Sequence, residues 1–108
     1  MTILNIFAVY DRKAQYYLPP FTDQYEANAI RTFTEAVMTS ETPLSQYPAD
    51  FDLVHLGTMD VRDGDLVALG HANILVNGLV ALESAQRERA RYQAILHRDS
   101  AVEPSSAP

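Results

Sequence analysis

The first hydrophobic segment is apolar at both of its alternating sets of positions. Residues 3–10 read ILNIFAVY, and Asn5 is the polar exception. A short run that is apolar on both faces predicts a central β-strand covered on both sides. The extended pattern resumes at residues 15–18 and ends at Pro19-Pro20, because proline cannot donate to a sheet. This pattern predicts a β-hairpin or a bulged continuation of the first strand.

Helical spacing follows the prolines. Asp23 and Glu26 have the separation of a capping box, and apolar residues then recur every three or four positions at Ala29 or Ile30, Phe33 and Val37. This pattern predicts a helix over residues 23–38. The polar residues 40–50 include two prolines and predict a surface loop.

Extended patterns return in the middle of the chain. Residues 51–61 and 65–70 flank Asp63-Gly64, the type of dipeptide that favours a two-residue hairpin turn. With that turn, Leu56 lies opposite His71. A third extended segment, residues 73–76, follows this hairpin.

The last third of the chain changes to a helical pattern. We predict an amphipathic helix over residues 80–98, with three arginines on the side opposite its apolar residues: Arg87, Arg91 and Arg98. Residues 99–108 are rich in Pro, Ser and Ala, which predicts a disordered tail. Together the patterns predict a single α+β domain over residues 1–98. Its mostly antiparallel sheet has four or five strands, with one packed helix and the C-terminal amphipathic helix added.

Charge is unevenly distributed along the 108 residues. The formal net charge is −6, which by itself disfavours nucleic acid as a partner, yet residues 84–98 hold four arginines and one acid. The absence of cysteine excludes disulfides and thiolate metal sites. No apolar run approaches the roughly 20 residues of a membrane span, and the N-terminus has no signal-peptide pattern. We therefore expect a protein of a reducing cytoplasm, with no membrane partner.

No catalytic pattern stands out. The chain has no nucleophile elbow and no phosphate-binding glycine loop. In the predicted hairpin, His55 and His71 point to different faces of the sheet, and no third ligand lies at a metal-binding spacing. We expect neither an enzyme nor a metal or other cofactor.

Two groups of residues are candidates for binding nucleic acid. The first combines aromatic and cationic side chains around the predicted hairpin, with Arg31 added from the first helix: Tyr10, Arg12, Lys13, Tyr16, Tyr17 and Arg31. Its structural alternative is a tyrosine core beside a solvated turn. The second group is the ridge Arg87, Arg91 and Arg98, which could follow a phosphate backbone. The ridge could also pair with the acidic body of a neighbouring subunit, or be a plain solvated face.

The order of three segments resembles a known family. AVYDRKAQYYLPPF, EANAIRTFTEAV and PADFDLVHLGTMDVRDG follow one another over roughly residues 6–70. They are similar to the small nonstructural protein of gokushovirus-type microviruses, bacteriophages with single-stranded DNA genomes. The resemblance implies a DNA-binding protein of the host cytoplasm that is absent from the virion. It also implies a role in switching replication to single-stranded genome synthesis for packaging. It implies no particular binding residue.

Two functions follow as expectations. The first is a phage accessory protein that binds single-stranded DNA and promotes genome synthesis and packaging. The alternative is a self-associating adaptor that contacts replication or packaging proteins without strong DNA binding. In both cases we expect a homo-oligomer, since a domain of this length with so many apolar strand residues gains burial from a second subunit.

Overall fold

Five antiparallel strands form one sheet in the computed structural model, which describes residues 2–102 and the side chains as far as residue 98. The sheet order is β2-β1-β4-β5, and β3 pairs with the N-terminal half of β1. The strands are β1 (Ile3–Asp11), β2 (Tyr16–Tyr17), β3 (Phe21–Asp23), β4 (Phe51–Asp60) and β5 (Leu66–Asn77).

Three α-helices accompany the sheet: α1 (Glu26–Met38), α2 (Pro43–Gln46) and α3 (Gly78–Val102). The architecture confirms the predicted α+β class, with one packed helix and an added C-terminal helix. The predicted loop 40–50 contains short helical structure instead, namely α2 and a 3-10 turn at Pro48–Asp50. A capping box between Thr42 and Ser45 starts α2.

The core lies between one face of the sheet and the helices. It consists of apolar residues from β1, β4, α1 and α3: Phe7, Val9, Phe51, Leu53, Ala29, Phe33, Val37 and Ala81. Leu44 of α2 packs against the same cluster. All three described helices therefore cover the same face of the sheet.

The opposite face of the sheet is open, which corrects the prediction that both sides of β1 are covered. Strand alternation places Leu4, Ile6, Ala8 and Tyr10 on this face, away from Phe7. Leu4, Ile6 and Tyr10 are half-buried and the small Ala8 is fully buried, yet no described helix packs over this face. The apolar pattern correctly indicated a central strand, but this chain supplies a cover for one side of it.

The hairpin between β4 and β5 has a longer loop than the sequence predicts. The backbone N–H of Asp60 donates to the carbonyl oxygen of Asp65 over 3.0 Å, so four residues form the loop rather than Asp63-Gly64 alone. Gly64 has a φ of 75°, in the left-handed region that favours glycine. The segments 65–70 and 73–76 belong to the single strand β5, which bulges at residues 69–72.

That bulge also overturns the predicted pairing of Leu56 with His71. The register runs from His55 opposite Asn73 to Gly57 opposite Ala68, which leaves Leu56 and His71 without partners.

The start of α1 differs from the predicted capping box. The helix begins at Glu26, and its N-cap residue Tyr25 makes no side-chain cap. Asp23 lies in β3, where its Oδ1 accepts from the backbone N–H of Tyr25 over 3.0 Å and from Asn28 Nδ2 over 3.2 Å. The carboxylate therefore orders the turn before the helix instead of capping it.

The C-terminal part of α3 projects from the rest of the protein. Ala81 is buried and Leu82 and Ala85 are half-buried, whereas every residue from 86 to 98 is exposed. We call residues 2–85 the body and residues 86–98 the arm. The helix continues past its predicted end at 98 to Val102. The remainder of the predicted tail, residues 103–108, lies outside the described residues.

Candidate nucleic-acid interface

The hairpin tyrosines separate onto the two faces of the sheet. Tyr10 and Tyr17 lie opposite each other on β1 and β2, with their ring centroids 4.8 Å apart. By strand alternation this pair belongs to the open face. Tyr16 is the partner of Asp11 and therefore lies on the other face. The sequence analysis placed Tyr10, Tyr16 and Tyr17 in one group. In the structure Tyr10 and Tyr17 lie together, and Tyr16 lies on the opposite face.

Arg12 is held by a buried carboxylate. Its Nε lies 3.1 Å from Asp52 Oδ2, and its Nη2 donates to the carbonyl oxygen of Ala49 over 2.9 Å. Asp52 is 5% exposed and also accepts from Asn77 Nδ2 over 2.9 Å. These contacts join β1, β4 and β5 at one end of the sheet. The positive charge of Arg12 is therefore balanced within the body.

Two other predicted cations lie apart from the tyrosine pair. Lys13 is exposed in the turn after β1, where its backbone N–H donates to Asp11 Oδ1 over 3.0 Å. Arg31 is exposed on α1, in the helical layer on the far side of the sheet from the open face. The structure places Tyr10, Tyr17 and Arg12 together, and it places Arg31 elsewhere.

The arm carries the densest positive charge in the chain. It contains one acid, Glu88, and four arginines: Arg87, Arg89, Arg91 and Arg98. Among the described side chains, none of the four forms an ion pair. At 1.5 Å per residue the arm is about 18 Å long, and the predicted ridge follows one of its sides. The four guanidinium groups are therefore available to a partner.

Apolar side chains occupy another side of the arm. Tyr92, Ile95 and Leu96 are all exposed, and Tyr92 is 64% exposed. Together with Met38 at the end of α1 they line an open groove of about 610 Å³. Arg89 and Arg91 line the same groove, so the arm presents cationic and apolar side chains next to each other.

A family model described as Phage ORF5 protein matches residues 4–81, more than two thirds of the chain. The chain belongs to this phage ORF5 family. No curated protein and no solved structure matches it. The match confirms a bacteriophage protein, whereas its affiliation with gokushovirus-type microviruses stays a prediction. The family region spans the whole sheet and α1, and it ends at the buried Ala81, so the arm lies beyond it.

The histidines of this phage protein have separate surroundings. The His55 ring stacks on Phe7 with a centroid distance of 5.0 Å, and its Nε2 lies 3.0 Å from the carbonyl oxygen of Gly57. His71 is exposed on the bulge of β5. Within the described part of the chain, no group of three or more His, Asp or Glu side chains is arranged to hold a metal ion. No helix in the same region is long and apolar enough to cross a membrane.

Sequence reasoning missed the role of Asp52. An acid in the apolar run FDLV is a signal in itself, because a carboxylate in a buried strand requires a partner. The sequence does not say which of the distant cations supplies it. Its ion pair with Arg12 spans 40 positions and depends on the register of β1 against β4.

Proposed function

We propose that this protein of the phage ORF5 family is a nonstructural accessory protein that binds single-stranded DNA in the host cytoplasm. It promotes synthesis and packaging of single-stranded genomes by binding rather than by catalysis. The observation that carries the proposal is the arm, where four arginines without ion pairs project from the body on an exposed helix.

The acidic body does not prevent phosphate binding at the arm. Arg98 lies about 20 Å along the helix axis from Ala85, the last residue that is half-buried. The Debye length at physiological ionic strength is about 8 Å, so the field of the body is largely screened there. The charge of +3 belongs to the arm as a whole, and the influence of the acidic body on it is weakest at Arg98.

Exposed aromatic rings support a single-stranded rather than a double-stranded ligand. Proteins that bind single strands combine cations for the backbone with aromatic side chains on which unpaired bases stack. Tyr92 provides such a ring on the arm itself, within one helical turn of Arg89 and Arg91. Each stacked base contributes about 1–3 kcal/mol in such complexes.

The hairpin becomes the lesser of the two candidate surfaces. The sequence makes it a candidate because it combines aromatic and cationic residues. Since Asp52 balances Arg12, the hairpin keeps Lys13 as its remaining cation, and Lys13 lies apart from the pair of Tyr10 and Tyr17. We therefore assign the main contact to the arm and a supporting contact to the hairpin.

A second candidate function is the adaptor, and one observation favours it. The groove of Tyr92, Ile95, Leu96 and Met38 offers an apolar surface to a protein helix or loop. An adaptor would contact replication or packaging proteins through this groove, with the arginines at its rim.

Fluorescence anisotropy with a labelled single-stranded oligonucleotide tests the proposal. The arm variant combines Arg87→Gln with Arg91→Gln, and the hairpin variant combines Lys13→Gln with Tyr17→Ala. We expect the arm variant to weaken binding at least tenfold and the hairpin variant to weaken it less. Circular dichroism verifies that each variant is folded.

Two results would contradict this assignment. If the hairpin variant abolishes binding and the arm variant retains it, the site lies on the sheet. If the wild-type protein shows no binding at low salt, the single-stranded DNA function is wrong and the adaptor becomes the better account.

A further inference from the structure

We propose that a second copy of this chain covers the open face of the sheet. The two copies pack sheet against sheet, with their helices on the outside and both arms projecting. The proposed interface is separate from the arm, and at its edge it includes Tyr17, which the supporting DNA contact of the hairpin also uses.

The open face is apolar across three neighbouring strands. Cross-strand register places Leu4 with Met59 and Leu66, and Ala8 with Val54 and Ile74. Ala8 and Val54 are already buried within one chain, so the accessible part of the face consists mainly of Leu4, Met59, Leu66 and Ile74. Leu66 and Ile74 are exposed, at 65% and 64%, although both pair with β4. Exposed aliphatic residues that continue a half-buried apolar surface are typical of an interaction site.

The charge of the face favours an identical partner. Residues 1–85 contain eleven acidic and four basic side chains, so two bodies repel each other over most of their surface. On the open face, Asp52 is neutralised by Arg12, and the register positions around it are apolar or uncharged. Two copies can meet there without opposing like charges, whereas a nucleic acid would find no unpaired cation.

The dimensions of the face give the size of the proposed interface. Strands β1 and β4 have nine and ten residues, so they are about 30 Å long. The three long strands at about 4.8 Å spacing span about 14 Å, and β2 and β3, with two and three residues, add a fourth position along part of β1. The projected area is therefore about 500 Å², which gives a small interface compared with the roughly 800 Å² per partner of a standard one. Packed sheets lie about 10 Å apart with their inner side chains interdigitated.

Adjacent residues of β5 provide a matched test. Leu66 and Ile74 lie on the open face, whereas Val67 pairs with Thr58 on the helix side and is similarly exposed at 57%. We would measure the dimer dissociation constant by sedimentation equilibrium for the full chain and for Ile74→Asp, Leu66→Asp and Val67→Asp. The two open-face variants should raise it by about thirtyfold or more, and Val67→Asp by less than threefold. Because these residues are exposed, all three variants should fold, which circular dichroism can verify.

Three outcomes overturn the proposal. A wild-type protein that is monomeric at tens of micromolar excludes the dimer. Equal dissociation by Val67→Asp and Ile74→Asp indicates pairing through the β5 edge rather than through the face. Dissociation by high salt indicates a charged interface, whereas an apolar contact between acidic bodies should hold or strengthen as salt screens their repulsion. None of these outcomes depends on DNA binding.

Discussion

The body and the arm of this phage protein are stabilised in different ways. The body buries Phe7, Phe33 and Leu53 between a sheet and the helices, so its fold depends on tertiary packing. The arm is exposed on every side, and its helix depends on residue propensity and on continuity with the packed start of α3. Because the side chains of the arm are exposed, its arginines are free to contact a partner.

Arginine shows this difference most clearly. In the body, Arg12 is committed to Asp52 and links three strands. In the arm, Arg87 and Arg91 have no described ion-pair partner. Arginine is therefore structural in the body and available for binding in the arm. Its exposure and its ion-pair partners reveal this difference, whereas the residue type alone does not.

The largest contrast in unfolding free energy is expected between an aromatic residue of α1 and one of the arm. Phe33→Ala removes a side chain that is 1% exposed, and it should lower the free energy of unfolding by about 3–5 kcal/mol. Tyr92→Ala should change it by less than about 0.5 kcal/mol because the ring is exposed. Urea denaturation measures both. A large loss for Tyr92→Ala would mean that the arm packs on the body.

Arginine substitutions should show a smaller contrast. Arg12→Ala leaves the buried carboxylate of Asp52 with Asn77 as its remaining side-chain donor, and we expect a loss of about 2 kcal/mol in unfolding free energy. Arg91→Ala should leave stability unchanged while weakening DNA binding. Thermal denaturation and anisotropy together separate the two roles. Unchanged stability of Arg12→Ala would count against a structural role for the ion pair.

Alanine-to-glycine changes compare the helices directly. Ala29 in α1 is fully buried, so Ala29→Gly loses helix propensity and a packed methyl group, about 1.5 kcal/mol in all. Ala90→Gly should reduce helicity locally in the arm and leave the cooperative melting of the body in place. Hydrogen exchange resolves the two effects. A global loss in Ala90→Gly would show that arm and body unfold as one unit.

The smallest contrast concerns the start of α3, the helix that continues into the arm. A methyl group at Gly78, the first residue of α3, would collide with the carbonyl oxygen of Pro48, whereas Gly70 has open space around it. We expect Gly78→Ala to destabilise the body by about 1–2 kcal/mol and Gly70→Ala to be near neutral. Differential scanning calorimetry measures both changes. Equal melting temperatures for the two variants would argue against close packing of Gly78 on Pro48.

Local sequence patterns predicted the positions of helices and strands more accurately than the contacts around them. The helical spacing of Phe33 and Val37 and the apolar run 3–10 identified α1 and β1, because periodicity follows from which side chains are buried. The cover of β1 on one side, the four-residue loop before Asp65 and the bulge at residues 69–72 depend on tertiary packing. A sequence pattern does not contain that information.

The candidate site was predicted in part for the same reason. The ridge Arg87, Arg91 and Arg98 follows from helical geometry alone, and the structure places these residues on a helix as expected. The hairpin group required knowledge of long-range partners, since the register that pairs Tyr10 with Asp52 brings Arg12 to a carboxylate 40 residues away. Charge counted along a sequence does not reveal which cations are already neutralised.

The salt dependence of DNA binding tests the central claim most directly. The arm variant Arg87→Gln with Arg91→Gln is compared with Arg31→Gln with Arg62→Gln, which removes the same charge from exposed positions of the body. Each phosphate contact contributes about 0.7 to the slope of log binding constant against log salt concentration for single strands. The arm variant should therefore reduce the magnitude of the slope by about 1.4, and the body variant should leave it unchanged. Equal slopes for the two variants would mean that net charge, and not the arm, attracts the DNA.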